Sequence, residues 1–416
     1  MIPPVKKYIP GINMIFSERI LKVKPSPTLA VTAMAAQLKA KGIDIISFGA
    51  GEPDFDTPDH IKNAAINAIK TGKTKYTQVG GIPELKNAIT MKFKRDNSLE
   101  YTADEVTVNC GGKHSFYNLM QIMLNDGDEI IIPAPYWVSY PDMALLAGGV
   151  PVFINTDDAS GFKITPQQLK AAITPKTRAV VINSPSNPTG SAYTLEELKE
   201  LASVIEKTDI IPISDDIYEA IIYDGFKFFN IANVSDEMKR RAIVLNGVSK
   251  TYAMTGWRIG YMAGNADIIK KIEIQQGQST SNPATISQYA AMEAISGDQT
   301  VLNHMLAAFD RRRKFIVKEL NTIPGFSCRM PEGAFYVFPN VDGLYKLPKW
   351  NTAAEKYPDK YKSSSLCAYL MDEARTAVVP GIGFGNDSYF RISFATSDEN
   401  IKEGISRIRA AVEKLA

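Results

Sequence analysis

The sequence predicts an α/β fold: a mostly parallel central sheet flanked by helices, joined to a smaller α+β unit. Three observations carry this. The runs Glu129 to Ile132, Ala179 to Asn183, Ile210 to Ile213 and Ile243 to Leu245 are apolar at nearly every position instead of alternating, as in strands covered on both faces. From residue 83 onward such runs alternate with helical segments. The C-terminal third then changes character, setting two strands among helices.

In chain order, residues 1–27 are proline-marked with weak periodicity and read as an arm. Leu29 to Lys41 reads as a helix ended by Gly42. Asp44 to Phe48 is a short strand running into the loop Gly49 to Asp54. Thr57-Pro58-Asp59 opens a helix with a cap, a first-turn proline and an acid near the positive end of the dipole. Pro83 to Arg95 is helical, Glu105 to Asn109 a strand, and Ser115 to Leu124 an amphipathic helix. Thr194 and Glu197 form a capping box for a helix to Ile205. Further on, Asp310 to Glu319 is a helix, Gly333 to Phe338 and Tyr389 to Phe394 are strands, and Ser397 to Leu415 is a closing helix. Tyr345 to Ser365, rich in Lys, Tyr, Ser and Pro, reads as a surface insertion.

Composition narrows the function. Apolar residues make up 45% and charged residues 22%, the balance of a globular enzyme. A net charge of +2 gives no electrostatic support for nucleic acid or an acidic membrane. Cys110, Cys328 and Cys367 are scattered, so neither a disulfide framework nor a metal cluster is expected, and a reducing, cytoplasmic setting fits. No signal peptide and no membrane span is expected either. His60, His114 and His304 lie beside no nucleophile elbow, which disfavours a hydrolytic triad.

The most informative stretch is Ser249 to Gly260. Lys250 sits among small residues after an apolar run, and Arg258 follows eight positions on. A poorly solvated lysine loses its proton more readily, and a neutral amine condenses with an aldehyde. A permanently charged arginine suits a phosphate. An aldehyde with a phosphate describes pyridoxal phosphate (PLP). Other polar residues fall at strand ends, where open α/β sheets bind ligands. Asn187 follows one strand, Asp215 and Tyr218 another. Asp215 can hold a pyridine nitrogen protonated, and Asn187 and Tyr218 can donate to a phenolic oxygen. Gly111-Gly112-Lys113 lies between strand and helix, where backbone amides favour an anion. Trp137 can stack on a ring, and Arg391 can grip a carboxylate. Taken singly, each has a plainer reading: a turn at Asn187-Pro188, a cap at Asp215, packing at Tyr218 and Trp137, a surface ion pair at Arg391. No G-x-G-x-x-G opens a βαβ unit, so a nicotinamide site is disfavoured.

These residues together resemble fold-type I PLP enzymes, and within them the bacterial aspartate aminotransferase-like subgroup. The matching motifs are Gly49 to Asp54, Tyr76 with Gly80 to Leu85, Ser184 to Gly190, Ser214 to Tyr218, Ser249 to Gly260 and Arg391 to Ser397. The resemblance implies a large PLP-binding domain over 58–302, a small domain from 28–57 with 303–416, and a homodimer with shared sites. It implies that Lys250 is the cofactor-linked lysine, with Asp215 at the ring nitrogen and Asn187 and Tyr218 at the ring oxygen. Gly112, Lys113 and Arg258 match the phosphate cradle, and Tyr76 the tyrosine that reaches the phosphate of a neighbouring subunit. Arg391 matches the α-carboxylate clamp, while Gly51 and Trp137 match substrate-side positions. Lys113 is also a candidate for the distal carboxylate of a substrate. His114 stands where a glutamine is common. The implied reaction moves an amino group between an L-amino acid, aspartate first, and a 2-oxo acid, 2-oxoglutarate first. Prephenate or aromatic substrates are the alternative, and a β-lyase the lesser one. A non-enzymatic PLP-sensing regulator is disfavoured, because residues before 28 carry no helix-turn-helix pattern.

Overall fold

A computed structural model describes residues 8–9 and 12–416, and for residues 8–9 and 12–15 the backbone alone. Part of the expected arm therefore lies outside the described residues. The described part holds a short helix, Glu18–Lys22.

The centre is a seven-stranded sheet. Its strands are β1 (Val106–Asn109), β2 (Glu129–Ala134), β3 (Val150–Asn155), β4 (Thr177–Asn183), β5 (Ile211–Asp215), β6 (Ile243–Gly247) and β7 (Gly260–Ala263). Their order across the sheet is β1-β7-β6-β5-β4-β2-β3. The pairs β3/β2, β2/β4, β4/β5 and β5/β6 are parallel, while β7 runs antiparallel to both neighbours. The solid apolar runs have the expected cause. Successive side chains leave a strand on opposite faces. Ile131, Val180 and Ile182 join one buried cluster, and Ile130, Ile132, Val181 and Ile213 join another on the other face. Helices close both faces, including Pro83–Asn97 and Leu195–Ile205 on the first and Gly112–Met123 on the second.

The C-terminal third has its own apolar cluster, built on the helices Val301–Leu320, Lys362–Glu373 and Asp398–Glu413. It covers a small antiparallel sheet in which Phe390–Ser393 lies between Tyr336–Val337 and Val379–Pro380. Ile46–Ser47 pairs in parallel with Thr376–Ala377, tying the residue 44–48 segment to this unit.

Several expectations need correction. The edge strand β3 and the helices Pro166–Ala172, Ala266–Gly277 and Thr285–Ser296 were not anticipated. The cradle helix starts at Gly112 rather than Ser115, since Gly111 takes φ +90° and turns the chain directly into it. The expected strand Gly333 to Phe338 contracts to Tyr336–Val337. Tyr345 to Ser365 is not a surface insertion alone. Trp350 is buried between Tyr345 and Tyr369, and Asp387 caps the helix beginning at Lys362 by accepting from the Lys362 and Ser363 amides. Among the described residues no helix is long and apolar enough to cross a membrane.

Candidate active site

The carboxyl ends of the parallel strands align by register. Asn183 on β4 pairs with Asp215 on β5, which pairs with Leu245 on β6. A cavity of about 250 Å³ opens there. Gly51, Gly112, Lys113, Trp137, Asn187, Asp215, Tyr218, Lys250, Arg258 and Arg391 all line it, so ten of the eleven predicted site residues converge from segments up to 340 positions apart. The eleventh, Tyr76, lies outside this chain's cavity and is 91% exposed.

Lys250 projects from the turn after β6. Its Nζ donates to the Gly51 carbonyl at 2.6 Å. Burial lowers its pKa to about 8, and the nearby cations Arg258, Arg391 and Lys113 push the same way against Glu52. The amine is thus far closer to neutral at physiological pH than an ordinary lysine.

Asp215 ends β5. Tyr140 donates to its Oδ2, and the Ile217 amide to Oδ1 at 3.3 Å. Burial raises its pKa, while the Tyr140 hydrogen bond, the Ile217 amide and the Lys250 charge act against that rise. An acid held by two donors at a cavity wall is ready for a cationic partner, which would offset its burial.

Asn187 Oδ1 accepts from Arg391 Nη1 at 2.9 Å. That contact turns the amide nitrogen of Asn187 away, leaving it free to donate. The Tyr218 hydroxyl lies 2.8 Å from that of Tyr336. Burial holds the Tyr218 pKa well above the usual phenol value, so it stays a hydroxyl.

At the other end Gly111 and Gly112 open the cradle helix. A Cβ on Gly111 would stand 2.3 Å from Arg258 Nη2, whereas one on Gly112 would meet nothing within 4 Å. Arg258 donates to the Thr255 carbonyl at 2.8 Å and leans on that of Cys110 at 3.4 Å. Lys113 Nζ sits 5.2 Å over the Trp137 ring. Its pKa is lowered by burial and then by Arg258. Among the described residues, Lys113, Lys250, Arg258 and Arg391 make no salt bridge. Arg391 is 2% exposed, and its Nε is buried with no hydrogen-bond partner. Four cations around one cavity at a helix N-terminus suit anionic groups such as a phosphate or a carboxylate. A PLP molecule fits that donor set: glycine room and cations for its phosphate, Asp215 for its ring nitrogen, Asn187 and Tyr218 for its ring oxygen, and Lys250 for its aldehyde.

Sequence reasoning missed Tyr140 and Tyr336, which line the cavity wall. Tyr140 packs edge-on against Trp137, three positions before it, with ring centroids 5.1 Å apart, and that short spacing was its only signal. Ser26 and Thr28 also line the cavity, where the expected arm gives way to the helix Pro27–Ala40.

The chain is similar to known proteins over nearly its whole length. The chain matches the family model "Aminotransferase class I and II" over residues 43–408. It is 53% identical over 396 residues to an aspartate/prephenate aminotransferase of Nitrosomonas europaea, covering 95% of this chain and 99% of that one. It is 51% identical over 394 residues to an aspartate aminotransferase of a Bacillus species, covering 95% and 98%. It superposes on the crystal structure of the aspartate aminotransferase from Rhizobium meliloti with a TM-score of 0.92 at 46% identity, covering 97% of this chain and all of that one. The chain belongs to the class I and II aminotransferases.

Proposed function

We propose that this aminotransferase binds pyridoxal 5'-phosphate in the cavity described above and moves an amino group between L-aspartate and 2-oxoglutarate. The observation that carries the reading is the convergence on one cavity of Lys250, Asp215 and a buried Arg391 without a carboxylate partner. The names of the two relatives support aspartate as donor.

When bound, the cofactor supplies an electron sink that makes the substrate α-carbon acidic. The chain's residues do the rest. Arg391 binds the α-carboxylate through its open edge, held in place by Asn187 and by the Gly49 carbonyl, which accepts from its Nη2 at 2.8 Å. Lys250, with its lowered pKa, would take the proton from the α-carbon and return it two atoms along, to the carbon that enters as the cofactor's aldehyde, work worth roughly 10²–10⁴-fold. Asp215 keeps a proton on the ring nitrogen, and Tyr218 and Asn187 donate to the ring oxygen. Gly112, Lys113 and Arg258 anchor the phosphate, and Trp137 packs on the ring.

The same proposal includes a homodimer in which Tyr76 reaches the site of a second copy. Its loop is staked from beneath: Gln288 donates to Thr77 Oγ1 at 3.1 Å and accepts from the Ile82 amide at 2.8 Å, and Gln276 donates to the Val79 carbonyl at 2.7 Å. It also includes the division into a large domain (58–302) and a small one (28–57 with 303–416), supported by two apolar clusters, one wholly within the first and one mostly within the second, and a cytoplasmic location. Prephenate is a second reading, favoured by the name of the Nitrosomonas relative and by the apolar Leu29 and Val138, which share the cavity wall with Lys113.

A half-reaction screen tests the cofactor and the reaction. The absorbance of the bound cofactor is followed on adding aspartate, glutamate, aromatic amino acids or arogenate. Fast conversion with aspartate is expected. A chain that takes up no cofactor, or responds to none of these donors, sinks the reading.

A further inference from the structure

We propose that Tyr336 is a positioning residue that sets both the donor strength of Tyr218 and the aim of Arg391. The inference rests on the cofactor reading above and adds to it. Tyr336 is fully buried and lines the cavity wall from the small sheet, between Phe335 and Val337.

Three contacts radiate from this one side chain. Its hydroxyl is 2.8 Å from that of Tyr218. Its ring lies under the Arg391 guanidinium, 4.5 Å from the centroid, and the Phe384 ring is 5.0 Å from the same guanidinium. Its hydroxyl also stands 3.0 Å from where a Cβ on Gly51 would be, so Gly51 is the residue that lets it approach the loop whose carbonyl holds Lys250.

The hydroxyl and the ring have separable work. A Tyr218 that gives its proton to the ring oxygen turns a lone pair toward Tyr336, and Tyr336 then donates to it. A donor whose own oxygen accepts a hydrogen bond is the stronger donor, because the two bonds polarise one another. The ring oxygen is then held better as an anion. On the other side, two aromatic faces fix the plane of a guanidinium that has no carboxylate to fix it, and leave its N–H edge open to the ligand. Phenylalanine at 336 keeps the second job and loses the first. Leucine loses both.

The test uses the cofactor-loaded protein and two readouts other than turnover. The first is the pH midpoint at which the visible band of the bound cofactor changes. It is measured in wild type, Tyr336→Phe, Tyr218→Phe and the double variant, all of which keep Asp215, Lys250, Lys113 and Arg391. A weaker donor leaves the ring oxygen more basic. Tyr336→Phe should therefore raise the midpoint by about half a pH unit with Tyr218 present, and leave it unmoved in the Tyr218→Phe background. The second readout is the dissociation constant of maleate, a non-reacting dicarboxylate. Tyr336→Phe should hold it within about twofold of wild type, and Tyr336→Leu should weaken it about fivefold. An unmoved midpoint, an equal shift in both backgrounds, or equal maleate binding in the leucine variant overturns the inference while the cofactor reading stands. A wild-type chain with no visible band removes the cofactor reading, and the inference with it.

Discussion

Replacing Lys250 with methionine is expected to make the cofactor-free chain more stable at neutral pH, although it removes the reactive amine. Burial holds the folded lysine at a pKa of about 8, against 10.5 for a fully solvated lysine. Below pH 8 the lysine is charged in both states, and the folded chain carries the full penalty of a buried ammonium. Between 8 and 10.5 only the unfolded chain binds the proton, so wild-type stability rises with pH; above 10.5 the penalty is gone. At about 1.4 kcal/mol per pH unit the penalty is about 3 kcal/mol. The Gly51 carbonyl loses its 2.6 Å partner in the variant, which costs about 1 kcal/mol. Methionine should therefore gain about 2 kcal/mol at pH 7, and the gain should nearly vanish by pH 10. Urea denaturation of both cofactor-stripped proteins at the two pH values measures this. A variant less stable than wild type at pH 7, or a gain equal at both, would refute the idea that the amine is held under strain for its chemistry.

Other expectations follow from single contacts. Gly111→Ala places a Cβ against Arg258 at a backbone angle only glycine takes easily, so cofactor affinity by equilibrium dialysis should fall at least about tenfold. Lys92 is buried against Glu219, whose carboxylate also accepts from Asn97 and Asn246 at 2.7 Å each. Lys92→Met strands that carboxylate and should cost roughly 3–5 kcal/mol in urea denaturation, with much of the loss restored by adding Glu219→Gln. Lys113→Ala should raise KM for aspartate about tenfold while changing KM for phenylalanine little, and equal losses for both would remove Lys113 from distal-carboxylate binding.

How much was legible in the sequence depends on where each signal sits. Lys250, Asp215 and Asn187 stand just beyond strongly apolar strands, so a polar residue there is conspicuous. Val150–Asn155 is an edge strand with much of its surface exposed, so it lacks the solid apolar run that marks its neighbours. Tyr336 hides in the run Ala334 to Phe338, where an aromatic reads as core, and its hydroxyl matters only because Tyr218, 118 positions away, folds against it. Trp350 was lost for the opposite reason: the lysines and prolines around it outweigh one anchoring indole in any compositional reading.

The adjacent acids Asp215 and Asp216 show what strand geometry adds. From the sequence, Asp215 is the partner expected for a ring nitrogen, and its neighbour Asp216 is left without a role. Consecutive residues at a strand end point to opposite faces, so only one of them can face the cavity. Asp215 does, with Tyr140 and the Ile217 amide on its oxygens. Asp216 turns to the other face, where Ser214 donates to it at 2.7 Å and Asn230 at 2.8 Å. It is fully buried, and its pKa is driven well above the usual carboxylate range, first by burial and then by Glu219. One acid is kept available to a cation arriving in the cavity, and the other is enclosed with neutral donors that hold the strand end. The period of two that makes these strands apolar on both faces also leaves Asp215, and not Asp216, facing the cavity.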